Sequence, residues 1–166
     1  MMDRRTTLLA LAALPFATAC TPAWQRPYRG PEVTRIIVQK SARTMYLMNG
    51  DKALKAYHIE LGFDPLGHKQ FEGDGKTPEG VYFINRRKDD SDFHLSLGIS
   101  YPNDRDRAFA KEQGKSPGGD IFIHGGPNSW SRKGKDWTAG CVSVTDKEIE
   151  EVWRMVRNGT EIVILP

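Results

Sequence analysis

Residues 136–153 read DWTAGCVSVTDKEIEEVW: a cysteine after a glycine, a short strand-like run, and the opening of a helix. Thr145 and Glu148 have the spacing of a capping box, in which the two side chains satisfy the free backbone N–H groups of a helix start. Ile149, Val152, Trp153 and Val156 follow at i, i+3, i+4 and i+7, one apolar stripe that packs on a core. Asn158-Gly159 ends the helix, and TEIVILP (160–166) closes the chain as a strand. No other segment carries this helical period as clearly, so the expectation is a mainly β domain with one packed helix.

Outward from there, the remaining elements read as strands. VTRIIVQ (33–39) and TMYLM (44–48) flank a short polar turn, the pattern of a hairpin. ALKAYHIELG (53–62) follows the Asn49-Gly50-Asp51 turn. VYFIN (81–85), FHLSLGIS (93–100) and DIFIHG (120–125) complete the set. GFDPLGHKQFEGDGKTPEG (62–80) holds too much glycine, proline and charge for a regular element. No internal repeat and no second domain is visible.

Composition narrows the function classes. With 39% hydrophobic and 27% charged residues the chain is an ordinary folded protein rather than a disordered one. The net charge is +3, and no basic stripe with interleaved aromatics appears, which argues against a nucleic-acid partner. GDGKT (73–77) ends like a phosphate-binding loop, but Gln70 stands where its first glycine is needed and Pro78 denies it a helix start. The histidines at 58, 68, 94 and 124 are scattered without metal-ligand spacing, so no metal and no cofactor is expected.

The first residues, MMDRRTTLLALAALPFATAC, read as an export signal: Arg4-Arg5, then a short apolar run, then small residues at a cleavage site. The run is shorter than the roughly 20 residues a membrane-spanning helix needs. Residues 1–19 are expected to be removed, with Cys20 lipidated as a membrane anchor or left at the new N-terminus. The Arg-Arg pair admits twin-arginine export as well as the general route. Residues 20–32, rich in proline, read as a tether to a domain over 33–166. The expected location is the periplasm.

This leaves Cys141 without a disulfide partner in an oxidising compartment, which raises the odds that its thiol is used rather than merely packed. His124 ends the apolar strand Ile121-Phe122-Ile123, and Gly125-Gly126 give room for a close approach. A histidine within reach of a thiol takes its proton and later returns one to a leaving amine. Gly140 admits a substrate carbonyl, and backbone N–H groups around Thr138, Ala139 and Cys141 are candidates to hold an oxyanion. These parts support acyl transfer.

IHGG (123–126) followed by TAGCVSVTD (138–146), with GKTPEGVYFI (75–84) upstream, resembles the L,D-transpeptidase (YkuD-like) catalytic domain over residues 33–166. The resemblance implies a mixed β-sandwich and a peptidoglycan stem-peptide substrate. It also implies Cys141 as nucleophile and His124 as general base and acid. Where the family has a histidine two before the cysteine and an arginine two after it, this chain has Ala139 and Ser143. On a strand Ser143 shares the face of Cys141, so a guanidinium to grip a carboxylate is absent beside the nucleophile. This local pattern also resembles the branch that includes peptidoglycan peptide hydrolases, among them an activity that releases wall-anchored lipoprotein. Trp130, Trp137, His68 and Gly125 are further candidates to contact substrate. A non-catalytic wall-binding module on the same fold is the reading from another class; it has no need of a reactive Cys141.

Overall fold

The computed structural model describes residues 21–126 and 135–166. The stretch read as an export signal, Cys20 and Trp130 lie outside the described residues. The strands are β1 (Arg35–Gln39), β2 (Thr44–Asn49), β3 (Lys52–His58), β4 (Gly80–Ser91), β5 (His94–Ile99), β6 (Phe122–His124), β7 (Val142–Ser143) and β8 (Glu161–Leu165). The helices are α1 (Asp104–Glu112), between β5 and β6, and α2 (Asp146–Met155), between β7 and β8. The strands form one order, β3-β2-β1-β8-β4-β5-β6-β7. β1 with β8 and β6 with β7 are parallel; the other neighbours are antiparallel.

β4 joins two half-sheets. Gly80 to Phe83 pair with β8, and from Ile84 onward the strand pairs with β5. The register shifts between Ile84 and Arg86, the kind of bulge that bends a strand and increases its twist. Both halves then face one core. Ile36, Val38, Met45, Leu47, Ile162 and Ile164 enter it from the β1 side, and Leu95, Leu97, Ile99, Ile123 and Val142 from the β5 side. Each such side chain is worth about 1.5–3 kcal/mol buried rather than exposed.

The helix expected after Thr145 is α2. Thr145 Oγ1 accepts from Glu148 N–H at 3.3 Å, and Glu148 Oε2 accepts from Thr145 N–H at 2.9 Å. Ile149, Val152 and Trp153 are buried against the β5 half, and the backbone leaves the helix at Val156.

The expectation of one helix is corrected to two α-helices among the described residues. α1 reads DRDRAFAKE and buries only Asp106 and Ala110, so no apolar stripe announces it. It is held by an Asn103–Asp106 capping box and by Asp106 Oδ2, which accepts from Tyr82 Oη at 2.9 Å. β4 also outruns the strand expected at 81–85, because its second half is polar on both faces.

The irregular stretch 62–79 is tied down by buried lysines. Lys40 Nζ donates to Gly67 O, Thr77 O and Glu79 Oε1 at 2.6, 3.1 and 2.8 Å. Burial pulls the Lys40 pKa down, while its bond to Glu79 opposes the fall. Within the expected tether, Trp24 sets its ring edge-on to Trp153 at 6.0 Å, and Arg154 Nε donates to Arg26 O at 3.1 Å. No helix among the described residues is long and apolar enough to cross a membrane.

Candidate active site

Two strands and a crossing segment position Cys141. β7 runs parallel to β6, pairing Ile123 with Val142 and His124 with Ser143. On its other side, Glu60 and Ser143 exchange backbone hydrogen bonds at 2.9 and 2.8 Å, and Thr138 N–H donates to Leu61 O at 3.1 Å. The chain beyond β3 therefore leaves its own half-sheet and clamps the cysteine segment.

Tight approach explains the glycine before the cysteine. Gly140 has φ +128°, and a Cβ there would stand 2.6 Å from Lys76 O. The missing side chain thus makes room for the protein's own backbone at Lys76. Thr138 Oγ1 donates to Cys141 O at 2.8 Å and accepts from Gly140 N–H at 3.1 Å. Thr138 thus closes the turn around Cys141 and makes no hydrogen bond to His124 among the described residues. It also occupies the Gly140 N–H, leaving Ala139 and Cys141 as the oxyanion donors to consider.

His124 is buried at the end of β6. Its Nδ1 lies 2.7 Å from Gly125 O, an acceptor, so Nδ1 carries the proton and Nε2 presents a lone pair. Phe93 stacks on the imidazole with centroids 4.5 Å apart and planes at 29°, and Trp137 meets it edge-on at 5.7 Å. Burial pushes the His124 pKa down, against the opposing effect of the Gly125 bond.

Cys141 is half-buried, with Sγ 3.6 Å from Asp120 O. Burial pushes its pKa up, while a backbone N–H from Phe122 works the other way. Thiol and imidazole are both driven toward their neutral forms. A neutral pair moves its proton as the bond to substrate forms, not before. Cys141 and His124 open on one cleft of about 210 Å³, shared with Lys88, Ser91, Asp92, Phe93, Ser96, Asp120 and Phe122.

The other expected residues fall as follows. Ser143 is buried, its Oγ 3.4 Å from Gly126 O. Gly125 is needed for packing: a Cβ there would meet Asp146 Oδ1 at 2.6 Å and Phe93 O at 2.9 Å. Trp137 is beside His124, and its buried Nε1 has no hydrogen-bond partner among the described residues.

His68, expected near the site, is not in the cleft. It lines a separate cavity of about 670 Å³, accepting from Glu79 N–H at 2.9 Å and meeting Asp106 Oδ1 at 3.2 Å. Among the described residues no group of three or more His, Cys, Asp or Glu side chains is placed to hold a metal.

Sequence reasoning missed Phe93, Asp120, Lys88 and Ser96, which reach the site only through strand register. It also missed Asp136, which anchors the return into the site. Asp136 Oδ1 and Oδ2 accept from Arg43 at 2.8 and 2.7 Å, and Oδ1 also accepts from Leu61 N–H at 3.1 Å. Burial works against the Asp136 charge, but these bonds win and hold its carboxyl below the usual range.

Residues 33–164 match the YkuD family, the L,D-transpeptidase catalytic domain. YafK of Escherichia coli (strain K12), provisionally named an L,D-transpeptidase, is 31% identical over 130 residues, 76% of this chain and 47% of its own. The chain thus spans about half the length of that relative. Among solved structures, the helical cell shape determining protein Pgp2 of Campylobacter jejuni is similar at TM-score 0.64 and 26% identity, covering 82% of this chain and 49% of that one. Bd1075 of Bdellovibrio bacteriovorus is similar at TM-score 0.58 and 26% identity, covering 81% and 48%.

Proposed function

The chain belongs to the YkuD family of L,D-transpeptidase catalytic domains, and from that premise we propose that it is a cysteine-dependent L,D-transpeptidase acting on peptidoglycan stem peptides. The observation that carries the proposal is the shared cleft of Cys141 and His124, with Nδ1 tied to Gly125 O and Nε2 left as the base. Cys141 Sγ attacks the carbonyl of diaminopimelate at its bond to D-alanine while His124 Nε2 takes the thiol proton. The oxyanion is met by the backbone N–H groups of Ala139 and Cys141. Collapse breaks the C–N bond, His124 returns its proton to the departing amine, and a thioester remains. An amine of a second stem peptide then takes the acyl group, giving a cross-link for wall building or remodelling. These steps call for no metal or cofactor.

Water as the acceptor gives hydrolysis with the same residues. Ser143 favours this second reading, because the residue two after Cys141 carries no guanidinium to hold an acceptor peptide by its carboxylate. Release of wall-anchored lipoprotein falls within it. Export to the periplasm, loss of residues 1–19 and lipid attachment at Cys20 complete the proposal. Labelling with radioactive palmitate, lost in Cys20→Ala, tests the anchor.

The activity is tested by mass spectrometry of tetrapeptide muropeptides incubated with residues 21–166, with Cys141→Ala as control. Dimers made only by the unsubstituted protein support transpeptidation, and tripeptides without dimers support hydrolysis. Intact tetrapeptide in both samples, with wall-anchored lipoprotein also left uncut, would sink the enzymatic reading and leave a wall-binding module.

A further inference from the structure

Strand register lays two rows of residues across the site. Lys88 pairs with Ser96, Ser96 with His124, and His124 with Ser143. Directly opposed residues project to the same face of a sheet, so these four form one row. Arg86, Gly98 and Phe122 form the next, and Cys141 extends it, one residue before the Val142–Ile123 pair. Arg87, between the two cations, projects to the other face, where its Cζ lies 3.9 Å from the Trp153 ring centroid and Nη2 donates to Trp153 O at 2.7 Å. Alternation along β4 therefore delivers Arg86 and Lys88 to the catalytic side.

Gly98 lets Arg86 cross β5. A Cβ at 98 would stand 2.4 Å from Arg86 Cγ and 2.8 Å from Nε. The guanidinium reaches the Phe122 ring, 4.5 Å from its centroid, and Nη2 donates to Asp120 Oδ1 at 2.7 Å. Asp120 is the residue whose carbonyl faces Cys141 Sγ. The pair is exposed, 48% and 84% for the two side chains, so it is weak and readily exchanged. Lys88 lines the cleft itself and has no ion-pair partner among the described residues. Of the cleft's two acidic side chains, Asp120 pairs with Arg86 and Asp92 has contacts of its own.

We propose that Lys88, assisted by Arg86, binds the α-carboxylate of the residue expelled by Cys141. This rests on the acyl-transfer reading above. His124 hands its proton to the departing amine, so the departing residue lies over His124. Neighbouring strands are about 4.8 Å apart, which puts Lys88 two strands, roughly 10 Å, along the His124 row. A carboxylate carried past His124 meets a lysine reaching back toward it. A cation is thus supplied from β4, on the leaving-group side. The enzyme then reads a free peptide C-terminus.

The test compares a tetrapeptide ending in D-alanine with its C-terminal carboxamide. Unsubstituted protein is expected to favour the acid by roughly tenfold or more in kcat/KM, the worth of a charge-assisted hydrogen bond. The double variant Lys88→Met, Arg86→Gln is expected to treat the two peptides alike, with the loss in KM, and Lys88→Arg to restore the preference. An acid-to-amide ratio unchanged in the double variant overturns the subsite. If the unsubstituted protein turns over neither peptide, the acyl-transfer reading passes to the wall-anchored lipoprotein assay above, and binding of both peptides to Cys141→Ala decides the subsite alone. Tighter binding of the acid, lost on adding the two substitutions, supports it; equal binding overturns it.

Discussion

Phe93 covers one face of the His124 imidazole, centroids 4.5 Å apart, while Gly125 O holds Nδ1 from the edge. The ring is thereby dry and fixed. Phe93→Ala admits water, and the His124 pKa rises toward its ordinary value, because burial is what depresses it. Since the base must be neutral, the acid limb of the kcat/KM profile is expected to move to higher pH. Phe93→Tyr should leave the limb in place. A profile that does not move in Phe93→Ala would show that the stacking does not set the base.

Thr138 is expected to matter through two bonds rather than through the imidazole. Thr138→Val removes the donor to Cys141 O and the acceptor for Gly140 N–H. Loss of both in a buried turn costs about 1–3 kcal/mol of stability. Thr138→Ser should recover most of it. Chemical denaturation of the three proteins checks this, and equal midpoints would exclude the turn-closing role.

The Arg43–Asp136 pair carries a pH signature. The Asp136 carboxyl is depressed in the fold, so its stabilisation is complete above the unfolded aspartate value of about 3.9 and is lost as pH falls through the folded one. Asp136→Asn is expected to lower stability at neutral pH by about 1.5–3 kcal/mol. Its deficit relative to the parent should shrink as pH is taken below 4. Urea unfolding at a series of pH values measures both; a deficit independent of pH contradicts the assignment.

Gly140→Ala should be damaging for backbone reasons alone. The left-handed φ of +128° and the 2.6 Å approach to Lys76 O leave no place for a methyl group. A cost of about 1–3 kcal/mol is expected from the strained conformation, together with displacement of Cys141 and loss of thiol reactivity toward substrate. An alanine variant of parental stability and activity would mean the segment relaxes freely.

The sequence by itself determined whatever depends on neighbours along the chain. α2 was legible because its cap and its apolar stripe lie within one short segment, and the β-rich character was legible from alternation and turns. Cys141 and His124 stood out as residue types whose chemistry is shared in acyl transfer. α1 escaped because it presents no apolar stripe and is held instead by a cap and by Asp106 bonded to a distant Tyr82.

Only the tertiary structure decided which side chains surround the cysteine and histidine. His68, near a glycine and a lysine in sequence, went to another cavity, while Phe93 and Lys88 were brought in. The reason is register. A shift of one residue turns a strand's side chains to the opposite face, and the register of β4 on β5 changes at a bulge between Ile84 and Arg86. That bulge lies where β4 passes from one half-sheet to the other, a junction no local stretch of sequence expresses.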